Sequence, residues 1–231
     1  MNRSEDIPSF YQRIKYPLQE RLVPGTPHVN VFEKNACRVT IPYSRKDYYK
    51  VSLILGKGTL EYADRTLHID RPALMFSNPL IPYYWQPGPG EQHGWFCIFN
   101  EAFAKQRSEM LTDLPMFQLE SDRVFFPDDK SVEEISYLFR KMLEENQSSY
   151  VQKQDVLRNY LHLIVHYAIK MQPAQNYDHD MNASARITSL FLELLSRQFP
   201  IDSRQNELKL KSAKDFARQL SVHINHLNRA V

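Results

Sequence analysis

The feature that most constrains this 231-residue chain is where its turn-forming residues stop. All six glycines lie at or before Gly94, and twelve of the fourteen prolines lie at or before Pro127. Gly and Pro punctuate turns, and strands joined by short connections need many of them. Residues 1–127 therefore read as a β-rich unit and residues 128–231 as helices with few breaks, which makes the chain α+β.

Within the first unit, Tyr48 to Leu55 is rich in β-branched and aromatic residues and runs into Gly56-Lys57-Gly58, the pattern of a strand and its exit. Thr59 to Ala63 and Thr66 to Asp70 flank a short Asp64-Arg65 turn and predict a hairpin. Ala73 to Ser77 and Tyr83 to Gln86 are two further strands. Trp95 to Phe99 (WFCIF) is apolar on both faces and belongs inside a sheet. Strands this short and this closely spaced argue for a sandwich or small barrel.

The second unit is periodic at three and four residues. Val132, Ile135, Leu138, Phe139, Met142 and Leu143 mark a one-sided helix over Ser131 to Gln147. A second helix covers Val151 to Met171, and a polar loop covers Gln172 to Asn182. A third helix runs from Ala183 to Phe199 and stops at Pro200. Three regions follow: 1–127, a β unit that opens with an N-terminal arm; 128–180, a helical middle; and 181–231, a helical end segment.

Bulk properties exclude more than they select. Hydrophobic residues make up 42% and charged residues 24%, so a sizeable core can form. A net charge of +2 argues for neither nucleic acid nor membrane, so a DNA-binding reading must rest on a local motif. Met1 to Phe10 carries Glu5, Asp6 and Pro8 and is no signal peptide. Cys37 and Cys97 read as reduced, buried thiols, and the expected location is cytoplasmic.

The local motif lies in Lys211 to Val231. Ser212 is a good N-cap with Asp215 three residues on, and Phe216, Ala217 and Leu220 form one apolar face. A break at Ser221-Val222 leads to a second short helix carrying Ile224, Leu227, Ala230 and Val231. Small Ala217 lets the helices approach, while Val222 and Leu227 fix their angle, as in a helix-turn-helix. Asn225, Asn228 and Arg229 would then face a major groove, since Asn can read adenine and Arg guanine by paired hydrogen bonds. His226 and His223 could add phosphate contacts, and Lys214 is a further DNA-binding candidate. From Ile201 to Val231 six basic residues oppose three acidic ones.

Ala217, Leu220, Val222, Leu227, Arg229 and Val231 together resemble the first helix-turn-helix of AraC-type transcription regulators. The segments YYKVSLILGKGTLEYADRTLHID and ALMFSNPLIPYYW are similar to the cupin-like sensor domain of the same family. The resemblance implies a cupin-like β unit, dimerisation through the following helices, and a small-molecule effector that alters DNA reading. It also implies a second helix-turn-helix, which does not occur before Val231. A single unit makes few phosphate contacts, so weak or no specific DNA binding is expected of this chain by itself. One departure is His223, where the family usually has Ser or Thr as cap of the reading helix.

The effector site is sought among aromatic and polar residues of the β unit: Lys50, Ser52, Tyr62, Asn78, Tyr83, Trp85 and Trp95. Their aromatic surface suits a carbohydrate or a ring compound. The prolines at 8, 17, 24 and 27 permit an arm that covers such a pocket. His28, His68 and His93 lack the His-x-His spacing of cupin metal enzymes, so no metal, no cofactor and no enzymatic activity are expected. Two other classes fit the same chain: a ligand-binding dimerising module that does not touch DNA, and a cupin-fold enzyme.

Overall fold

The computed structural model describes residues 5–17, 23, 25–34, 41–44, 46–62, 66–105, 114–117, 122–171, 183–196 and 210–231. The Asp64-Arg65 turn, the 172–182 loop, Cys37 and Pro200 lie outside them.

Nine strands form two antiparallel sheets. They are β1 (Val29–Glu33), β2 (Ile41–Ser44), β3 (Tyr49–Ile54), β4 (Gly58–Glu61), β5 (Thr66–Ile69), β6 (Ala73–Ser77), β7 (Tyr83–Pro87), β8 (Gly94–Phe99) and β9 (Val124–Phe125). One sheet has the order β1-β8-β3-β6-β9 and the other β2-β7-β4-β5. The predicted hairpin pairs Leu60 with Leu67. WFCIF lies inside its sheet, with β1 on one side and β3 on the other.

The larger sheet is buried on both faces, and side-chain alternation divides its residues between two cores. Val51, Leu53, Leu74, Phe76, Cys97 and Phe99 pack with the helices α3 (Asp129–Asn146) and α4 (Lys153–Lys170). Their strand neighbours Ile54, Ala73 and Met75 pack with Leu60, Leu67, Tyr83 and Trp85 of the smaller sheet. That double burial explains why β6 is apolar from Ala73 to Phe76, with all five of its residues buried. Cys97 sits in the helix-side core, where burial pushes its thiol pKa up and leaves it protonated.

Helix boundaries follow capping chemistry. The Asp128 carboxylate accepts from Ser131 N at 2.8 Å and starts α3. Arg158 on α4 is buried, held by Asp155 at 2.6 Å and by the Phe103 carbonyl. At the N-terminus, Asp6 caps α1 (Ile7–Arg13) by accepting from Ser9 N, with Pro8 in the first turn. The proline-marked arm is thus partly helical. Phe10 and Tyr11 bury themselves against Phe32, Tyr48 and Ile98. A short helix α2 (Glu101–Ala104) follows β8.

The chain continues with α5 (Ala183–Ser196), α6 (Ala213–Gln219) and α7 (Ile224–Ala230). Phe191 meets Phe216 edge-on at 4.9 Å, and Thr188 Oγ1 donates to the Ala230 carbonyl. Leu190, Phe216, Ala217, Leu220 and Leu227 belong to the same apolar cluster as the space between the sheets. No helix among the described residues is long and apolar enough to cross a membrane.

Candidate functional site

A cavity of about 600 Å³ opens between the sheets under α1. Its walls explain themselves through the period of two. Lys50, Ser52 and Ile54 alternate along one face of β3, and Tyr83 and Trp85 along one face of β7. Five of the seven sequence candidates line it: Lys50, Ser52, Tyr83, Trp85 and Trp95. The other two lie elsewhere. Tyr62 is buried in the apolar cluster, and Asn78 is a structural corner. Asn78 Nδ2 donates to the Phe117 carbonyl at 2.6 Å, and its Oδ1 accepts from Leu80 N and Ile81 N.

Trp95 lines the cavity from the helix-packed side, its ring stacked on Phe139 at 6.5 Å. Its neighbour Phe96 also lines the cavity, stacked 4.9 Å from Phe32 of the adjacent strand β1. Sequence reading missed Phe96, and with it Phe10, Arg13, Tyr16 and Lys34. Alternation in WFCIF could have indicated Phe96. The α1 residues carry no such signal, because an arm's docking is set by tertiary contact.

The walls are basic. Arg13, Lys15, Lys34 and Lys50 line the cavity together with a single acid, Glu33, among the described residues. The Lys34 ammonium donates to Gln92 at 3.2 Å and lies 5.4 Å from the Trp85 ring centre. Lys50 Nζ stands 4.3 Å from the Phe96 ring centre and has no ion pair or hydrogen bond among the described residues. Burial, and then the charges of Lys34, Arg13 and Lys46, push its pKa down to about 7. The indole N–H groups of Trp85 and Trp95 are buried and donate to no acceptor among the described residues.

Arm and barrel are joined by charge. Arg13 pairs with Glu5 at 2.5 Å, and the Tyr48 hydroxyl donates to Glu5 at 2.8 Å. Burial pushes the Glu5 pKa up, but the Arg13 hydrogen bond and charge, with Tyr48 and Lys46, outweigh it and hold it below the usual value. Lys46 donates to the Ser44 carbonyl at 2.8 Å and lies over the Tyr83 ring.

His28, His68 and His93 are spread out. His28 contacts Tyr11, His68 contacts Thr59, and His93 contacts Glu91. Among the described residues no three His, Cys, Asp or Glu side chains come together as metal ligands.

At the other end, Ser212 and Asp215 form a reciprocal capping box on α6. Ser221, at the expected break, takes φ +54°, and Val222 N donates back to the Ala217 carbonyl at 3.0 Å. His223 caps α7: its Nδ1 accepts from Asn225 N at 3.2 Å. An imidazole therefore supplies the acceptor that a hydroxyl would. Lys214, Asn225, His226, Asn228 and Arg229 are all exposed, while Leu227 is buried. Val231, expected on the apolar side, is exposed.

No family model matches the chain, and no curated protein matches it. Among solved structures it is similar to the AraC-like transcriptional activator CuxR, with 12% identity and a TM-score of 0.38. That similarity covers 89% of this chain and 66% of CuxR, so the chain spans just under two thirds of that protein. It is also similar to ToxT from Vibrio cholerae, at 14% identity and TM-score 0.41, over 89% of this chain and 74% of ToxT. A cupin protein from Bacteroides fragilis is similar at 19% identity and TM-score 0.27, over 38% of this chain and 75% of its own.

Proposed function

We propose that this chain works as a ligand-responsive, DNA-binding transcription regulator of the AraC type. The observation that carries the reading is the pairing of an arm-covered cavity with a capped helix-turn-helix in one packed chain. A small molecule occupies the cavity; α1, which supplies part of its wall, changes its seat; and the presentation of α7 shifts in population without any chemical step. In this division of labour residues 1–127 sense, 128–180 dimerise and 181–231 read DNA. Asn225, Asn228 and Arg229 contact bases, and His226 and Lys214 contact phosphates.

Dimerisation is assigned to α3 and α4, whose outer surface exposes Tyr137, Leu163 and Ile169. A monomer at micromolar concentration in analytical ultracentrifugation sinks that assignment.

DNA reading is tested by titrating the chain into fluorescent duplex DNA at several low salt concentrations. Weak binding that falls with salt, and falls further in Arg229→Ala and Lys214→Ala, is expected. Equal binding by both variants and the parent removes the reading head from the account and leaves a ligand-binding dimer.

A further inference from the structure

We propose that Asn30 couples the seat of the arm to the joint between α3 and α4, so that α1 and the last turn of α3 loosen and tighten together. Such coupling gives the sensing role above a physical route out of the cavity, and it can be measured whether or not that role holds.

Three elements meet at one amide. Asn30 sits on β1, the edge strand of the larger sheet. Its Oδ1 accepts from Val31 N at 2.8 Å and from Nδ2 of Asn146, the last residue of α3, at 2.7 Å. A backbone N–H can only donate, so the Val31 bond fixes which side of the amide is oxygen. Nδ2 is thereby turned to the arm, where it donates to the Tyr11 hydroxyl at 2.6 Å. Burial pushes the Tyr11 pKa up to about 12, so the phenol keeps its proton, and His28 Nε2 stands 3.2 Å away to accept the hydrogen bond it offers.

Both partners of Asn30 have a second task. Tyr11 belongs to the same short helix as Phe10 and Arg13, which line the cavity, so a shift of the arm over the cavity carries the Tyr11 hydroxyl with it. At the other end, the Asn146 carbonyl accepts from Nζ of Lys153, the first residue of α4, at 3.4 Å. Lys153 also donates to the Ser148 carbonyl at 3.3 Å, so the turn between the two helices is gathered on one ammonium. These are the helices to which dimerisation is assigned. When the arm lifts, Asn30 loses the Tyr11 bond that helps to hold its plane, and the amide that fastens the end of α3 can swing. When the end of α3 opens, the Tyr11 bond loses its orientation in turn. Coupling of this kind is reciprocal by thermodynamic necessity.

The experiment follows amide hydrogen exchange in the full chain, reading Phe10 to Ile14 for the arm, Leu143 to Asn146 for α3, and Ala73 to Ser77 of β6 as a core reference. Tyr11→Phe keeps the ring and deletes only the hydroxyl. It is expected to speed exchange at the end of α3 by roughly five-fold, the change that a hydrogen bond of ordinary net worth makes to an opening equilibrium, and to leave β6 unchanged. Asn146→Ala should speed exchange in the arm by a similar factor. Glu5→Gln, which weakens the arm's fastening at Arg13 and Tyr48, should speed the end of α3 as well, but not when Asn30→Ala is also present. An end of α3 that keeps its protection in Tyr11→Phe, or an arm that keeps its protection in Asn146→Ala, overturns the coupling. Equal acceleration in β6 also overturns it, since that is a loss of general stability. So does a Glu5→Gln effect on α3 that persists undiminished in the Asn30→Ala background. If Asn30→Ala fails to fold, the Tyr11→Phe and Asn146→Ala results decide the matter by themselves. DNA binding enters none of these measurements, so the duplex titration judges the regulator reading separately.

Discussion

The Arg13 guanidinium meets the Glu5 carboxylate at 2.5 Å while Arg13 also stands in the cavity wall, so one ion pair ties the arm's fixing point to the cavity. Glu5→Gln should loosen α1 and cost about 1.5–3 kcal/mol, the range for hydrogen bonds to charged groups. Because the folded-state pKa of Glu5 is depressed, its stabilisation is present above the unfolded carboxylate value of about 4.3 and is lost as pH falls through the folded one. Thermal melting of parent and variant should therefore differ most near neutrality and converge in acid. A gap that stays constant down to about pH 3 would contradict the pairing.

Gly58 lies directly against Trp85. A Cβ at Gly58 would collide with the indole ring and come within 2.7 Å of the Gln86 carbonyl. Gly58→Ala should displace the Trp85 ring, shift tryptophan emission and destabilise the chain by about 1–3 kcal/mol, as overpacking does. An unchanged spectrum and melting temperature would mean that the ring is not seated there.

Asn78, a ligand-contact candidate by sequence, braces the corner after β6. Replacing it with Ala removes the side-chain partner of the Leu80 and Ile81 amides and of the Phe117 carbonyl, leaving Ile81 N only a long bond to the residue 78 carbonyl, at a cost of about 2–3 kcal/mol. Affinity for a cavity ligand, measured below the melting transition, should not change. A loss of affinity larger than the loss of stability would return Asn78 to the site.

His223 caps the helix proposed to read DNA. Ser in its place should hold the cap, whereas Ala should cost about 1 kcal/mol and fray α7. Amide hydrogen exchange at Asn225 and His226 measures this directly; equal protection in the Ala variant would show that packing of Leu227 alone maintains the helix.

Much of the fold is legible in the sequence because it follows periodicities. β3, β5, β6 and β8, the helices α3 to α5, and the break at Ser221 all lie within a few residues of where patterning places them. β1 and β2 carry no such marker, since Val29–Glu33 sits among prolines and its partner strand is distant in sequence. The two-residue β9 is defined only by its pairing with β6. For the site, alternation identifies Lys50, Ser52, Tyr83 and Trp85, which stay on one face whatever the register of neighbouring strands. Arg13 and Lys34 reach the cavity from segments whose positions depend on how the arm docks, and no local pattern encodes that.

The apolar cluster between the sheets does not end at the barrel. Ile54, Met75, Tyr83 and Trp85, which face the cavity, are part of the same buried mass as Leu190, Phe216, Ala217 and Leu227. Close-packed interiors compress little and pass strain along. The chamber and α7, the helix proposed to read DNA, therefore adjoin one apolar mass, and a guest that crowds Trp85 and Met75 would press on the same body of side chains in which Leu227 is seated.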